Sequence, residues 1–284
     1  MVRSSPAEPL PAGARYAGLT IVRALTLREF ASSYEARDQG GSRVHLKRYD
    51  AHAPDSSAGV DLLRAQRALI PVLRRLGAGV GALRRVGEEA GHLYNVSDWV
   101  DGRELAASYG ELSPAQRLAC AQQLSGTVAR LHDEGVAHRD LKPANLLVVN
   151  RSRLVIVDFD GASVGPHTGV PLSSPPYAAP EHHGLHRPDD ARRGDVFTLG
   201  LVLYELLSGW FPFAAEDVYE RGEFCARRFL IAVERGVPTL EDDLRGAPPR
   251  LISLLERSLH LDPARRPSAA ALAAAVAGLR SLAT

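Results

Sequence analysis

Apolar and polar positions alternate from Tyr16 to Tyr49, which predicts three strands, with Gln39-Gly40-Gly41-Ser42 as a hairpin turn between two of them. From Val60 to Leu76 the spacing changes. Leu62, Leu63, Ala65, Leu69 and Leu73 fall on one helical face, and Pro71 is expected to break or kink this helix late in its course. Val80 to Val86 and His92 to Val96 read as two further strands around Glu88-Glu89-Ala90-Gly91. Ser113-Pro114 is a helix start, a capping hydroxyl followed by a proline that the first turn tolerates. The helix runs to about His132 with Leu118, Ala121, Leu124, Val128 and Leu131 at helical spacing. Leu146 to Val149 and Leu154 to Val157 are short apolar strands. Ser268 to Leu282 is an alanine-rich terminal helix, interrupted by Gly278 and Arg280.

A chain of 284 residues with 45% hydrophobic content can bury a real core, as one large domain or two lobes. Met1 to Arg15 is rich in proline, alanine and serine and reads as a flexible tail, not a signal peptide. No stretch is long and apolar enough to span a bilayer. The formal charge of +1 gives no global pull toward nucleic acid or a membrane surface. Cys120 and Cys225 lie far apart, without metal-ligand spacing, and point to a reducing, cytoplasmic setting. His182, His183 and His186 are spaced as a metal site could be, but no further ligand cluster accompanies them, and surface histidines are the simpler reading. The basic residues are almost all arginine. Lys47 and Lys142 are the two lysines, which suggests positions where a compact point charge is required and a planar fork would not fit.

His138-Arg139-Asp140-Leu141-Lys142-Pro143-Ala144-Asn145 puts an acid, a cation and a carboxamide on one short loop. Phosphoryl transfer needs this set: a carboxylate for the attacking hydroxyl, a cation for the transferring group and an amide oxygen for a metal ion. Downstream stand Asp158-Phe159-Asp160-Gly161, then Ala179-Pro180-Glu181, then Arg266 in a Pro-Ala-Arg-Arg-Pro run. These ordered motifs resemble those of eukaryotic-type serine/threonine protein kinases, and the resemblance covers about Tyr16 to Leu282. It implies an α+β, bilobal fold: a tail (1–15), then a kinase domain (16–284) with a small β-rich lobe carrying one helix (16–97), a hinge (98–102) and a larger helical lobe (103–284).

The resemblance also assigns roles. Asp140 would be the base, and Lys142 and Lys47 would hold phosphates. Asn145 and Asp158 would bind Mg²⁺, a hard ion that takes oxygen ligands. Asp98 and Val100 of the hinge, Glu104 at the ribose and Leu147 would complete the ATP site. Asp195 to Ser208 would be the family's long buried helix, with Gly209 as its C-cap; Asp195 would accept hydrogen bonds from the catalytic-loop backbone, and Glu181 would pair with Arg266. Thr168 and Ser173 are candidate phosphorylation sites with Arg139 as cationic dock, and Ser174 would face the substrate. Self-association would serve autophosphorylation. The small lobe departs from the pattern. Thr26, Arg28 and Ala31 stand where the phosphate-covering loop has glycines, which permit close backbone approach. His45 replaces a small residue and Ser33 a valine in the adenine roof. The glutamate that pairs with the strand lysine is missing, leaving Gln66, Asp61 or Asp158 as partners for Lys47. Asp160 replaces a glycine, with Gly161 following. Three readings remain open: an active kinase acting on protein Ser/Thr hydroxyls with ATP and Mg²⁺; a pseudokinase acting as a binding module; and a small-molecule phosphotransferase, against which Lys142 and the Ala-Pro-Glu signature argue.

Overall fold

The structure, a computed structural model, describes residues 8–50, 56–165, 175–183, 190–237 and 239–280. It divides into two compact units. The first holds the chain up to Gly77 and Gly81–Asp101, the second Ala78–Val80 and the chain from Gly102.

In the first unit β1 (Arg15–Tyr16), β2 (Leu19–Leu27), β3 (Ala31–Arg37) and β4 (Arg43–Tyr49) precede α1 (Ser57–Leu76), and β5 (Leu83–Glu89) and β6 (His92–Asp98) follow it. The strands form one antiparallel six-stranded sheet in the order β1-β2-β3-β4-β6-β5. The two-residue alternation decides which side chains meet. Val44 and Leu46 enter a core with Leu19, Ile21, Tyr34, Ala36 and Val96. His45 and Lys47 therefore lie on the opposite face, half-buried. Ala90 and Gly91 both have positive φ, the turn that joins β5 to β6 with the native twist. Residues 8–15, expected in the tail, belong instead to this unit from Glu8 onward. Leu10 packs against the core, and both terminal nitrogens of the buried Arg48 donate to the Glu8 carbonyl at 3.1 Å. Nor does a strand begin at Val80: Ala78–Val80 joins the second unit, where the Ile156 N–H donates to the Gly79 carbonyl.

Ser56 caps α1 through the Gly59 N–H. The break expected at Pro71 does not occur, and the helix continues to Leu76. An internal proline costs about 3 kcal/mol. Leu69, Val72, Leu73 and Leu76 are all buried, at roughly 1.5–3 kcal/mol each, so packing outweighs the lost backbone bond.

The second unit opens with β7 (Arg103–Glu104), α2 (Leu105–Ser108) and α3 (Pro114–Asp133), then β8 (Val136–Ala137), β9 (Leu146–Val149), β10 (Arg153–Ile156) and β11 (Ser163–Val164). After these come α4 (Arg192–Ser208), α5 (Ala215–Val218), β12 (Tyr219–Glu220), β13 (Glu223–Phe224), α6 (Ala226–Arg235), α7 (Leu240–Asp243), α8 (Pro249–Ser258) and α9 (Ala269–Ala277). A reciprocal capping box between Ser113 and Gln116 starts α3, with Pro114 in the first turn. Every residue of α4 from Gly194 to Leu207 is buried, as befits a helix apolar all round, and Gly209 ends it in the left-handed conformation. The terminal helix is shorter than expected. It starts on the Ser268 cap and stops at Gly278.

Candidate active site

The loop after β8 is shaped by one buried carboxylate. Asp195, in the first turn of α4, accepts the His138 N–H on Oδ2 and the Arg139 N–H on Oδ1, both at 2.7 Å. His132 Nε2 lies 3.0 Å from the same Oδ2. Burial alone would raise the Asp195 carboxyl, but the His132 hydrogen bond and charge, with His138 and the Arg139 N–H, hold it below the usual range. These bonds sustain an uncommon backbone, since Arg139 sits at φ 69°. The fully buried His138 ring completes the turn. Its Nε2 faces the Val157 carbonyl at 3.2 Å, and its Nδ1 accepts the Asp140 N–H at 3.3 Å, which selects the Nε2–H tautomer.

Asp140 is thereby presented beside two donors. Lys142 Nζ donates to its Oδ2 at 2.8 Å. Asn145 Nδ2 donates to the same oxygen at 3.0 Å and to the Asp140 carbonyl at 2.8 Å. Burial pushes the Asp140 carboxyl up, partly offset by the Lys142 hydrogen bond and charge and assisted by the charge of Asp158. The carboxylate thus holds a proton more readily than a solvated one, which suits a base. With the Asn145 nitrogen on Asp140, the amide oxygen is the atom that could face a metal ion.

Asp158 is brought toward Asn145 by a hairpin. β9 and β10 pair with Leu146 opposite Ile156, and the Val157 N–H donates to the Asn145 carbonyl at 2.9 Å. Asp158 follows at φ 62°, exposed, while Phe159 turns inward against His138 with ring centroids 4.8 Å apart. An amide oxygen and a carboxylate on adjoining strand ends are a hard-oxygen donor set, which fits Mg²⁺. Glu104 and Leu147 are direct cross-strand partners in the β7–β9 pair, Glu104 exposed and Leu147 half-buried.

The first unit carries the remaining predicted residues. Lys47 on β4 stands opposite Ser33 on β3 and Asn95 on β6. His45, one step along the same face, lies opposite Glu35 and Ser97, with Nδ1 3.4 Å from the Ser97 hydroxyl. Two of the expected partners of Lys47 make bonds to other residues. Gln66 Nε2 donates to the Tyr49 hydroxyl at 2.6 Å, where Asn95 Nδ2 also arrives at 2.5 Å, and Asp61 pairs with Arg64 on the surface. Asp98 ends β6; its N–H donates to the Ala82 carbonyl, and its side chain accepts Arg84 Nε at 2.7 Å. Val100 is half-buried in the segment that follows. At the β2–β3 turn the Arg28 N–H donates to the Ala31 carbonyl, and Phe30 is 66% exposed.

Farther from the loop, Arg266 forks onto Glu181 at 2.8 and 2.7 Å. Its donors also satisfy the carbonyls of Arg193, His260 and Leu261, so the buried cation is fully bonded. A further buried carboxylate escaped sequence reasoning. Glu205 on α4 accepts the hydroxyls of Tyr109 and Tyr177, each at 3.1 Å, and burial pushes its carboxyl up to about 7 against those two hydrogen bonds. Its signal was hidden because α4 reads as core throughout. His182 and His183 are not surface histidines. Both are half-buried, and the His183 ring packs on Phe224 and Phe229. Among the described residues no His, Cys, Asp and Glu cluster could hold a metal ion by itself. Thr168, Ser173, Ser174 and His186 lie outside the described residues.

With this geometry in place, the chain matches the protein kinase domain model over residues 34–276. It is 32% identical over 204 residues to "Serine/threonine-protein kinase pkn2" of Myxococcus xanthus, covering 67% of this chain and 24% of that protein. It is 31% identical over 249 residues to "CBL-interacting protein kinase 16" of rice, covering 84% and 51%. "Serine/threonine-protein kinase PrkC" of Bacillus subtilis is 32% identical over 134 residues, covering 44% and 20%. The chain belongs to the protein kinase domain family. It spans between about a fifth and a half of the length of these relatives. No described helix is long and apolar enough to cross a membrane.

Proposed function

We propose that this domain transfers the γ-phosphoryl group of ATP to serine or threonine hydroxyls of protein substrates. The Asp140–Lys142–Asn145 cluster carries this reading: a base of raised proton affinity, held beside a compact cation and an oriented amide. In this reading the substrate hydroxyl attacks the γ-phosphorus and its proton passes to Asp140, while the bond to the β–γ bridging oxygen breaks and ADP leaves. Lys142 and Lys47 neutralise phosphate charge. Asp98 and Val100 offer backbone groups to adenine, Leu147 an apolar surface, and Glu104 a carboxylate to the ribose. Asn145 and Asp158 hold Mg²⁺, which when bound neutralises phosphate charge. Relatives named as serine/threonine kinases support the substrate class, and the near-neutral charge supports a protein partner over nucleic acid. A cytoplasmic setting with self-association for autophosphorylation goes with this reading.

Phosphate incorporation into the chain and into a generic protein substrate tests it. Asp140→Asn is expected to lower the rate roughly 10²–10⁴-fold with ATP/Mg²⁺ affinity retained; an unchanged rate would sink the assignment. The pseudokinase reading draws on the lost glycines and on His45. It would be favoured by wild-type protein that shows neither incorporation nor a thermal shift with ATP/Mg²⁺.

A further inference from the structure

Two different means dock α1 in the first unit. Its C-terminal half is held by the burial of Leu69, Val72, Leu73 and Leu76, whereas before Gln66 only Gly59 is buried. Gln66 itself, where the two halves meet, is 1% exposed. A carboxamide that deep in the fold is costly unless it is bonded. Its Nε2 donates to the Tyr49 hydroxyl at 2.6 Å, and Asn95 Nδ2 donates to the same oxygen at 2.5 Å. One buried hydroxyl thus joins α1, β4 and β6.

Register sets this hub around Lys47. Tyr49 follows Lys47 by two residues and shares its face of β4, and Asn95 stands directly opposite Lys47 on β6. Directly opposed residues have Cβ atoms roughly 4.5–5.5 Å apart, so the two strand members of the hub flank the lysine stem. That stem is flexible, and walls that restrict it reduce the entropy lost when the ammonium meets an anion. The hub contains no carboxylate. Two amides and a phenol stand where the kinase pattern has a glutamate beside its lysine.

We propose that Tyr49 is a positioning residue for Lys47. Its hydroxyl, bonded to Gln66 and Asn95, docks the middle of α1 on the Lys47 face of the sheet and walls the lysine stem. The inference rests on the reading of Lys47 as a phosphate contact.

Lysine-selective ¹³C labelling tests it, because Lys47 and Lys142 are the two lysines and Lys47→Met identifies each ε-methylene signal. In wild type the two Lys47 ε-protons should be inequivalent. In Tyr49→Phe they should merge toward the shift of free lysine, while the Lys142 signal stays in place. The Kd for ATP/Mg²⁺, by calorimetry, should rise roughly 3–10-fold, the cost of immobilising one long side chain. Gln66→Met, which removes the donor on α1 and fills its space, should move both readouts in the same direction, and it decides if Tyr49→Phe fails to fold. Equivalent Lys47 protons in wild type, a Lys47 signal unchanged in the folded variants, or a Lys142 change of equal size would each overturn the positioning role. So would an unchanged ATP affinity where wild type binds. Wild type that binds no ATP/Mg²⁺ would instead remove the phosphate reading of Lys47, and with it the role assigned to Tyr49.

Discussion

In the second unit, the charged groups around the catalytic loop are buried and bonded from several sides. Asp195 is held by two backbone N–H groups and His132, and Arg266 by Glu181 and three carbonyls. In the first unit the corresponding face is differently made. Ser33, Glu35, His45, Asn95 and Ser97 surround Lys47 in register. Glu35 is bracketed by Arg23 and Arg43, and α1 is tied to β4 through Gln66 and Tyr49, not through a glutamate. The difference separates two demands. On the proposed reading, holding a base and a metal-binding amide needs a rigid frame, which the second unit has. On the same reading, covering a nucleotide needs small and apolar surface, and this face of the first unit carries polar side chains.

Stability should expose the contrast first. Arg266→Ala leaves Glu181 buried and unpaired, and a cost of about 3–5 kcal/mol is expected. Arg23→Ala removes a partner of Glu35 that is 62% exposed, and should cost under about 1 kcal/mol. Urea unfolding can be followed by Trp210 in the second unit and Trp99 in the first. Comparable losses for both variants would erase the distinction.

A smaller effect tests another buried acid of the second unit. Because burial raises the folded-state pKa of Glu205 to about 7, the protonated form is favoured on folding. Its contribution is therefore fully present below the unfolded value near 4.5 and is lost as pH rises through about 7. The swing is about 3 kcal/mol. Glu205→Gln should gain stability relative to wild type by up to that amount between pH 5 and pH 8, and the thermal midpoint measured across that range checks it. A difference that stays flat with pH would show that Tyr109 and Tyr177 keep the carboxylate charged.

Legibility in the sequence follows the length scale of each constraint. The Asp140–Lys142–Asn145 loop could be read because its chemistry lies within six consecutive residues. Glu181 and Arg266, 85 residues apart, were legible through their separate motifs, and they do form the forked pair. Tyr109, Tyr177 and Glu205 could not be read: their meeting depends on tertiary packing, and each sits where a core residue would do. The β5 bulge was equally hidden, since Leu83-Arg84-Arg85-Val86 does not reveal a slipped register. At Pro71 the local rule was legible but lost to the burial of Leu69, Val72, Leu73 and Leu76.

The smallest expected effect bears most directly on the first unit. His45 occupies the face of β4 that Lys47 shares, one cross-strand step from Ser97, where the kinase pattern has a small side chain. If its ring and polarity are what the nucleotide must displace, His45→Ala should improve ATP/Mg²⁺ binding by about 1 kcal/mol, roughly fivefold in Kd. Lys47→Met should abolish the gain, because the phosphate contact would be gone whatever stands beside it. A weaker complex in His45→Ala would reverse the interpretation: the imidazole would then be part of the nucleotide contact, and the polar face a working surface instead of a lost one.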